Sequence, residues 1–392
     1  MPRFSFFISY SKEPVTEGSP IWHEPVPLRL DALIKNAGDG EPVSHAAYFR
    51  AVQTFLEANS LEVITRAVSR QLNRDVKAAD VEEIRIRLEK HGEFYHPCRI
   101  ETDVYEQQLS FVLNVAISET GRRFIEAEFH LLNRLNTEQP LQYLPQAYGF
   151  GRTVSNGKNF AMFLGQWFDG YHEFHISIDP SDKTPKIMVW DDARGRFFLS
   201  AEQTKILYAR VSRILTGYYN LTSFEQIFSW HHAAGDFIVK IENEKLELRL
   251  VTVRRYAAIF KNQQKAQNAS GDPQRILQAL LIFFLSLSIR MRLDRLDGIG
   301  EMVWSDSIAV EPTLIGFLEA LSIKPDISSL PDSPLACFIA YLASCTEGDL
   351  IDLTATIVNR FNPQMPGLVV VQKNISSHVK ALHASIQNII SI

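Results

Sequence analysis

The sequence predicts an α+β protein of two lobes, an antiparallel-sheet N-lobe and a mainly helical C-lobe, with an N-terminal helical appendage. Glu83-Ile84-Arg85-Ile86-Arg87-Leu88 alternates charged and apolar residues, the period of two that marks a half-buried strand. Strand-like segments continue to Trp167, with one helical stripe among them. Beyond Asp169-Gly170 the apolar spacing becomes mostly helical. The boundaries this implies are an appendage over 1–78, an N-lobe over 79–168 and a C-lobe over 169–392.

Residues 1 to 40 read as irregular, because Pro14, Pro20, Pro25 and Pro27 break any period and Asn36-Ala37-Gly38-Asp39-Gly40 reads as a turn. Ser44 caps a predicted helix to about Glu57 with Tyr48, Val52 and Phe55 on one face, and Leu61, Ile64, Val68 and Leu72 mark a second. After Glu83–Leu88, a turn at His91 to Pro97 leads to strands over Arg99–Tyr105 and Leu109–Ile117. Gly121–Leu135 is a helix whose stripe includes Phe124, Glu128, Leu131 and Leu132. Tyr148–Val154 and Phe160–Trp167 are strands joined through Ser155-Asn156-Gly157. Ile187–Trp190 and Asp191–Phe198 suggest a hairpin.

Ser200-Ala201-Glu202-Gln203 is a capping box opening a strong helix. Phe237–Ile241 and Leu246–Val253 read as strands across a turn, and from Asp272 the chain is mostly helices. The most hydrophobic stretch, Ile276–Ile289, is interrupted by Gln278, Ser286 and Ser288, falls short of the about 20 residues of a membrane span and reads as a core helix.

Composition narrows the function classes. A net charge of −5 offers nucleic acid or an anionic membrane no overall attraction, so neither is expected as a partner. The three cysteines, Cys98, Cys337 and Cys345, lack metal-ligand spacing and are odd in number, which points to a reducing cytoplasm. The N-terminus shows no secretory leader pattern.

The order of strands, helix, strands, hinge, helix, loop, hairpin and helices, together with Val115-Ala116-Ile117-Ser118, Trp167-Phe168-Asp169-Gly170 and Gly235-Asp236, resembles the protein-kinase-like fold over about residues 80 to 300. It is most similar to the aminoglycoside and choline phosphotransferase branch. The resemblance implies an interlobe cleft in which Asp236 stands at the catalytic aspartate and Glu128 at the glutamate that pairs the phosphate lysine. Gln166, Phe168 and Asp169 fall at the adenine-facing hinge. It also implies losses. The lysine is Ser118, the metal-binding asparagine is Ile241, the second metal-binding aspartate is Thr252, and Gly92 alone stands for a Gly-rich loop. Phosphoryl transfer depends on neutralising phosphate charge, so these losses weigh against ordinary kinase chemistry.

Asp236 and His232 are the catalytic candidates. Glu128, Gln166, Phe168, Asp169, Thr252 and Arg254 are the candidates for cofactor binding, and no metal ligand is assigned. The expectation is a catalytically degenerate kinase-like protein that binds a small molecule or a protein partner in or near the cleft. The alternative is a divergent small-molecule phosphotransferase using ATP and magnesium, with Asp236 as base. A third reading, zinc held by His231, His232 and Asp236, competes with simple packing of a histidine under the loop. His172 and His175 share a face only if their segment is helical. If Asp236 is structural, it holds the Ala233-Ala234-Gly235 turn through backbone N–H groups. Asp236→Asn should then cost little and Asp236→Ala about 1–3 kcal/mol.

Overall fold

Alternation along Val81–Leu88 (β2) buries Ile84, Ile86 and Leu88 on one face, while Arg85 on the other forms a bidentate pair with Asp103 at 2.7 Å to both oxygens. The computed structural model describes residues 2–9, 11–27, 42–89, 92, 94–139, 141–191, 193–258 and 272–390. The turn expected at 36–40 and the residues Lys90 and His91 lie outside them. The chain divides into two units, 1–169 and 170–392.

In the first unit, Cys98–Val104 (β3) and Gln107–Ala116 (β4) continue an antiparallel meander from β2. A helix, Glu119–Glu138, comes next in the chain. Ala147–Ser155 (β5) and Lys158–Gln166 (β6) then form a hairpin in which β6 pairs with β4. Arg3–Ile8 (β1), within the stretch read as irregular, adds to β2 in parallel, so the sheet order is β1-β2-β3-β4-β6-β5. Its place follows from burial, for Phe6 packs 5.4 Å from Trp22 and 5.1 Å from Phe49.

His45–Leu72 (α1) is capped by Ser44 and broken at Asn59, Ser60 and Leu61, all left-handed, which makes the two helices expected there. Tyr48, Phe49, Leu56 and Ile64 share one core with Ile84, Ile100 and Phe111. The helices expected as an appendage therefore pack into the same core as the sheet, where their large apolar side chains lose contact with water. The helix Glu119–Glu138 is α2.

The second unit is not only helical. His172–Ile178 (β7), Pro185–Asp191 (β8), Gly195–Phe198 (β9), Ala234–Glu242 (β11) and Lys245–Leu250 (β12) form an antiparallel sheet in the order β12-β11-β7-β8-β9. β7 escapes sequence reading because histidines and a glutamate stand where a strand usually shows β-branched residues. Glu225–Ile227 (β10) pairs with Tyr256–Ala258 (β13), and Leu293–Arg295 (β14) with Met302–Trp304 (β15).

Ala201–Gly217 (α3) starts at the Ser200 capping box. Pro273–Arg290 (α4) is the apolar core helix, with Leu280, Phe284 and Leu287 buried. Val310–Ser322 (α5), Pro334–Ala343 (α6), Glu347–Asn359 (α7) and Leu368–Ile390 (α8) complete the unit. Among the described residues no single helix is long and apolar enough to cross a membrane. The whole is an α+β protein.

Helices α3 and α5 meet at Gly316, where an added Cβ would stand 1.9 Å from the Ala209 carbonyl oxygen. Ser212 Oγ crosses the same contact to donate to the Thr313 carbonyl at 2.6 Å. Gly316→Ala must push the helices apart and should lower stability by about 1–3 kcal/mol or more, measured by urea unfolding.

His378 on α8 is buried, with Nε2 3.1 Å from Ser288 Oγ of α4 and its ring edge-on to Trp304. Burial, with the Arg292 charge, pushes its pKa down from 6.5 to about 3. The unfolded chain thus binds the proton that the folded chain refuses, so stability falls as pH drops below the ordinary imidazole value and levels off below the folded one. His378→Phe keeps the ring and removes the proton site. Its melting temperature should fall less than the parent's between about pH 6.5 and pH 4.

Candidate functional site

A strand pairing that slips sets the position of Asp236. β11 pairs with β7 at Ala234 opposite His175 and resumes at Ile238 opposite Glu173, and the irregularity between them contains Gly235, Asp236 and Phe237. A bulge of this kind re-aims the side chains it contains. Gly235 sits at φ +84°. Asp236 is 2% exposed, and its carboxylate turns back into the loop that precedes the strand.

That carboxylate is fully engaged. Its Oδ2 accepts from the His231 backbone N–H at 2.8 Å and from Arg254 Nη1 at 2.7 Å, and its Oδ1 accepts from Arg254 Nη2 at 2.5 Å. Arg254 also donates to the Ser229 carbonyl at 3.3 Å. The expected turn-holding role therefore involves one backbone N–H and a guanidinium, rather than backbone donors alone.

A second carboxylate, absent from the sequence-derived candidates, holds the other side of the loop. Asp294 on β14 has no exposed surface. Its Oδ2 accepts from the Ala233 N–H at 2.8 Å and its Oδ1 from the Arg295 N–H at 2.8 Å. His231 Nδ1 stands 3.4 Å from Oδ1 and His232 Nδ1 3.1 Å from Oδ2. Burial pushes the Asp294 carboxyl up, but the His231 contact, the neighbouring imidazole charges and the Ala233 N–H outweigh it and hold the group below the ordinary carboxylate range.

His232 is wholly buried, beside the Tyr208 ring at 5.5 Å, and neither ring nitrogen makes a hydrogen bond of good geometry. Burial lowers its pKa, so the neutral ring is the folded form. His231, by contrast, has 43% of its side chain exposed. Asp294 lies 61 residues beyond Ala233 in the chain. The one signal for it in the sequence is the alternation of charged and apolar residues in Arg292-Leu293-Asp294-Arg295-Leu296, which leaves Asp294 beside Leu293.

β7 closes the neighbourhood. His175 packs against Trp190 with ring centroids 4.0 Å apart, and Gly298, at φ +73°, lies so close that a Cβ there would come 2.6 Å from His175 Nδ1. The strand sends His172 to the opposite face, where it stands 3.5 Å from Asp191, so His172 and His175 do not converge.

The other candidates are placed as follows. Thr252 lies half-buried between β12 and β13. In the first unit, Glu128 on α2 is 1% exposed. Gln166 ends β6, where its Oε1 accepts from the Gln146 N–H at 3.3 Å. Phe168 is half-buried, and Asp169 is exposed 3.8 Å from Arg99. Ser118 follows the end of β4 as the cap of α2, accepting from the Gly121 N–H at 3.1 Å. Ile241 lies in the β11–β12 hairpin opposite Leu246.

Chemically the loop is an internally neutralised assembly with one imidazole open to solvent. Among the described residues no three His, Cys, Asp or Glu side chains come together as a metal-binding set. The zinc reading of His231, His232 and Asp236 is corrected accordingly, since Asp236 turns to Arg254 and both imidazoles to Asp294. The chain matches no protein-family model and no curated protein.

Arg254 changes the expectation for Asp236 variants. Asp236→Ala strands the His231 N–H and the guanidinium and should cost about 2–3 kcal/mol. Asp236→Asn opposes an uncharged amide to Arg254 and should cost about 1 kcal/mol rather than little. Urea unfolding of both beside the parent gives the order.

Proposed function

We propose that this chain is a catalytically degenerate protein-kinase-like protein that binds a small molecule or a protein partner. The observation that carries the reading is the engagement of Asp236. A kinase's catalytic aspartate accepts a proton from the substrate hydroxyl. Asp236 instead gives both oxygens to Arg254 and one of them also to the His231 N–H. To act as base its buried carboxylate would have to abandon a bidentate pair with the half-exposed Arg254, leaving the guanidinium without its countercharge.

The positions that would manage phosphate agree with this. The residue at the lysine position caps a helix, and the residue at the asparagine position is an isoleucine in a hairpin. On the side of the fold, the first unit has a three-strand meander, a helix and then a hairpin whose second strand lies beside the meander. That order supports the resemblance. The cysteines Cys98, Cys337 and Cys345 are all unbonded, which suits a reducing compartment such as the cytoplasm.

The test is a thermal-shift panel of ATP, ADP and GTP, each with and without magnesium. No magnesium-dependent stabilisation by nucleotide is expected. A magnesium-dependent rise in melting temperature with ATP, followed by turnover of the nucleotide, would overturn the reading in favour of a divergent phosphotransferase.

A further inference from the structure

The loop from Ser229 to Asp236 is tied down on both sides by buried carboxylates. Asp236 takes the His231 N–H from within the loop, and Asp294 takes the Ala233 N–H from β14. Two of the loop's backbone donors thus depend on acceptors that stay strong only while ionised. Between them sits His232, which has no exposed surface and no well-formed hydrogen bond, yet lies 3.1 Å from Asp294.

Asp294 has two imidazoles to serve, His231 and His232. It can balance one cation at close range. A second imidazolium would be repelled by the first, and His232 could reach no water to compensate. The loop is therefore held by an arrangement that tolerates neutral imidazoles and resists doubly charged ones.

We propose that the 229–236 loop is a proton-released latch, closed while Asp294 is ionised and His232 neutral, and opened when acid charges that cluster. The surrounding groups set its direction. Arg254 pairs with both oxygens of Asp236 and anchors that end of the loop. From β7, Glu173 lies 3.2 Å from where a Gly235 Cβ would stand, and His175 lies opposite Ala234 in the strand register. From α3 comes the Tyr208 ring, whose hydroxyl is 3.4 Å from Ser305 Oγ and feels the charges of Arg292 and Asp306. His175 Nε2 stands 3.6 Å from Glu173, so an imidazole and a carboxylate face each other on this side of the loop. The lowered pKa values of His232 and Asp294 have the matching sign. Each means that the closed form binds fewer protons than the open one, so lowering the pH favours opening.

The consequence is local. Opening frees the N–H groups of His231 and Ala233 without requiring α3 or α4 to unfold. It exposes His232 and Asp294 to solvent.

Hydrogen–deuterium exchange of the full chain carrying His378→Phe, which removes the separate acid sensitivity of α4 and α8, at about pH 7.5 and about pH 5, corrected for the intrinsic pH dependence of exchange, tests the latch. Peptides spanning 229–236 and 293–296 should lose protection by about tenfold or more at the lower pH, while those from α3 and α4 keep theirs. His232→Phe, which preserves a ring beside Tyr208 but binds no proton, should abolish most of that response. Equal loop protection at both pH values overturns the proposal, as does a simultaneous loss of protection in α3 and α4. A His232→Phe protein that retains the full response overturns it too. If His232→Phe fails to fold, Asp294→Asn serves instead. It keeps an acceptor for the Ala233 N–H without the charge and should show loop exchange raised already at about pH 7.5, and unchanged exchange there would overturn the latch.

Discussion

A carboxylate with no exposed surface has to be solvated by the protein, and Asp294 is solvated by two backbone N–H groups and two imidazoles. One of those N–H groups belongs to Ala233, in the loop that delivers Asp236 to the sheet. The order of the loop thus depends on charge held in β14, and the aim of Asp236 depends on the order of the loop. Arg254 completes the chain of dependence from the segment between β12 and β13. The two carboxylates act on the same few residues from opposite sides, which is why the turn can be made of Ala233, Ala234 and Gly235, residues with almost no side chain to hold it.

The same economy is visible where helices meet. α3 carries Tyr208 into the loop's neighbourhood and approaches α5 at Gly316 closely enough to leave no room for a side chain. The loop therefore rests on a rigid helix pair, and a local release of its N–H groups is separable from the melting of the helices behind it. His378, buried on α8 against Ser288 of α4, adds an acid sensitivity of its own to that body.

The first unit shows a different use of a chemically suggestive position. Ser118 comes two residues after β4, in the run Val115-Ala116-Ile117-Ser118, and its hydroxyl caps the helix that follows. A serine there is explained by helix capping whatever the ancestry of the strand. Glu128, ten residues on, is buried in the helix face rather than presented to solvent. Residue type and spacing describe such positions well; what they do there is settled by the atoms beside them.

Local pattern determined a large part of this protein. Alternation at Glu83–Leu88, the Ser44, Ser118 and Ser200 starts of helices and the Asn243-Glu244 turn between β11 and β12 are short-range preferences, legible because propensity and burial agree within a few residues. The His231-His232 and Asp236 segment was legible as a candidate site for the same reason. Tertiary structure alone decided that β1 joins the sheet in parallel, that His172–Ile178 is a central strand and that Asp294 serves the loop. Each depends on partners far along the chain, and the energy that fixes them comes from burial and from satisfying buried charge, which no window of sequence contains.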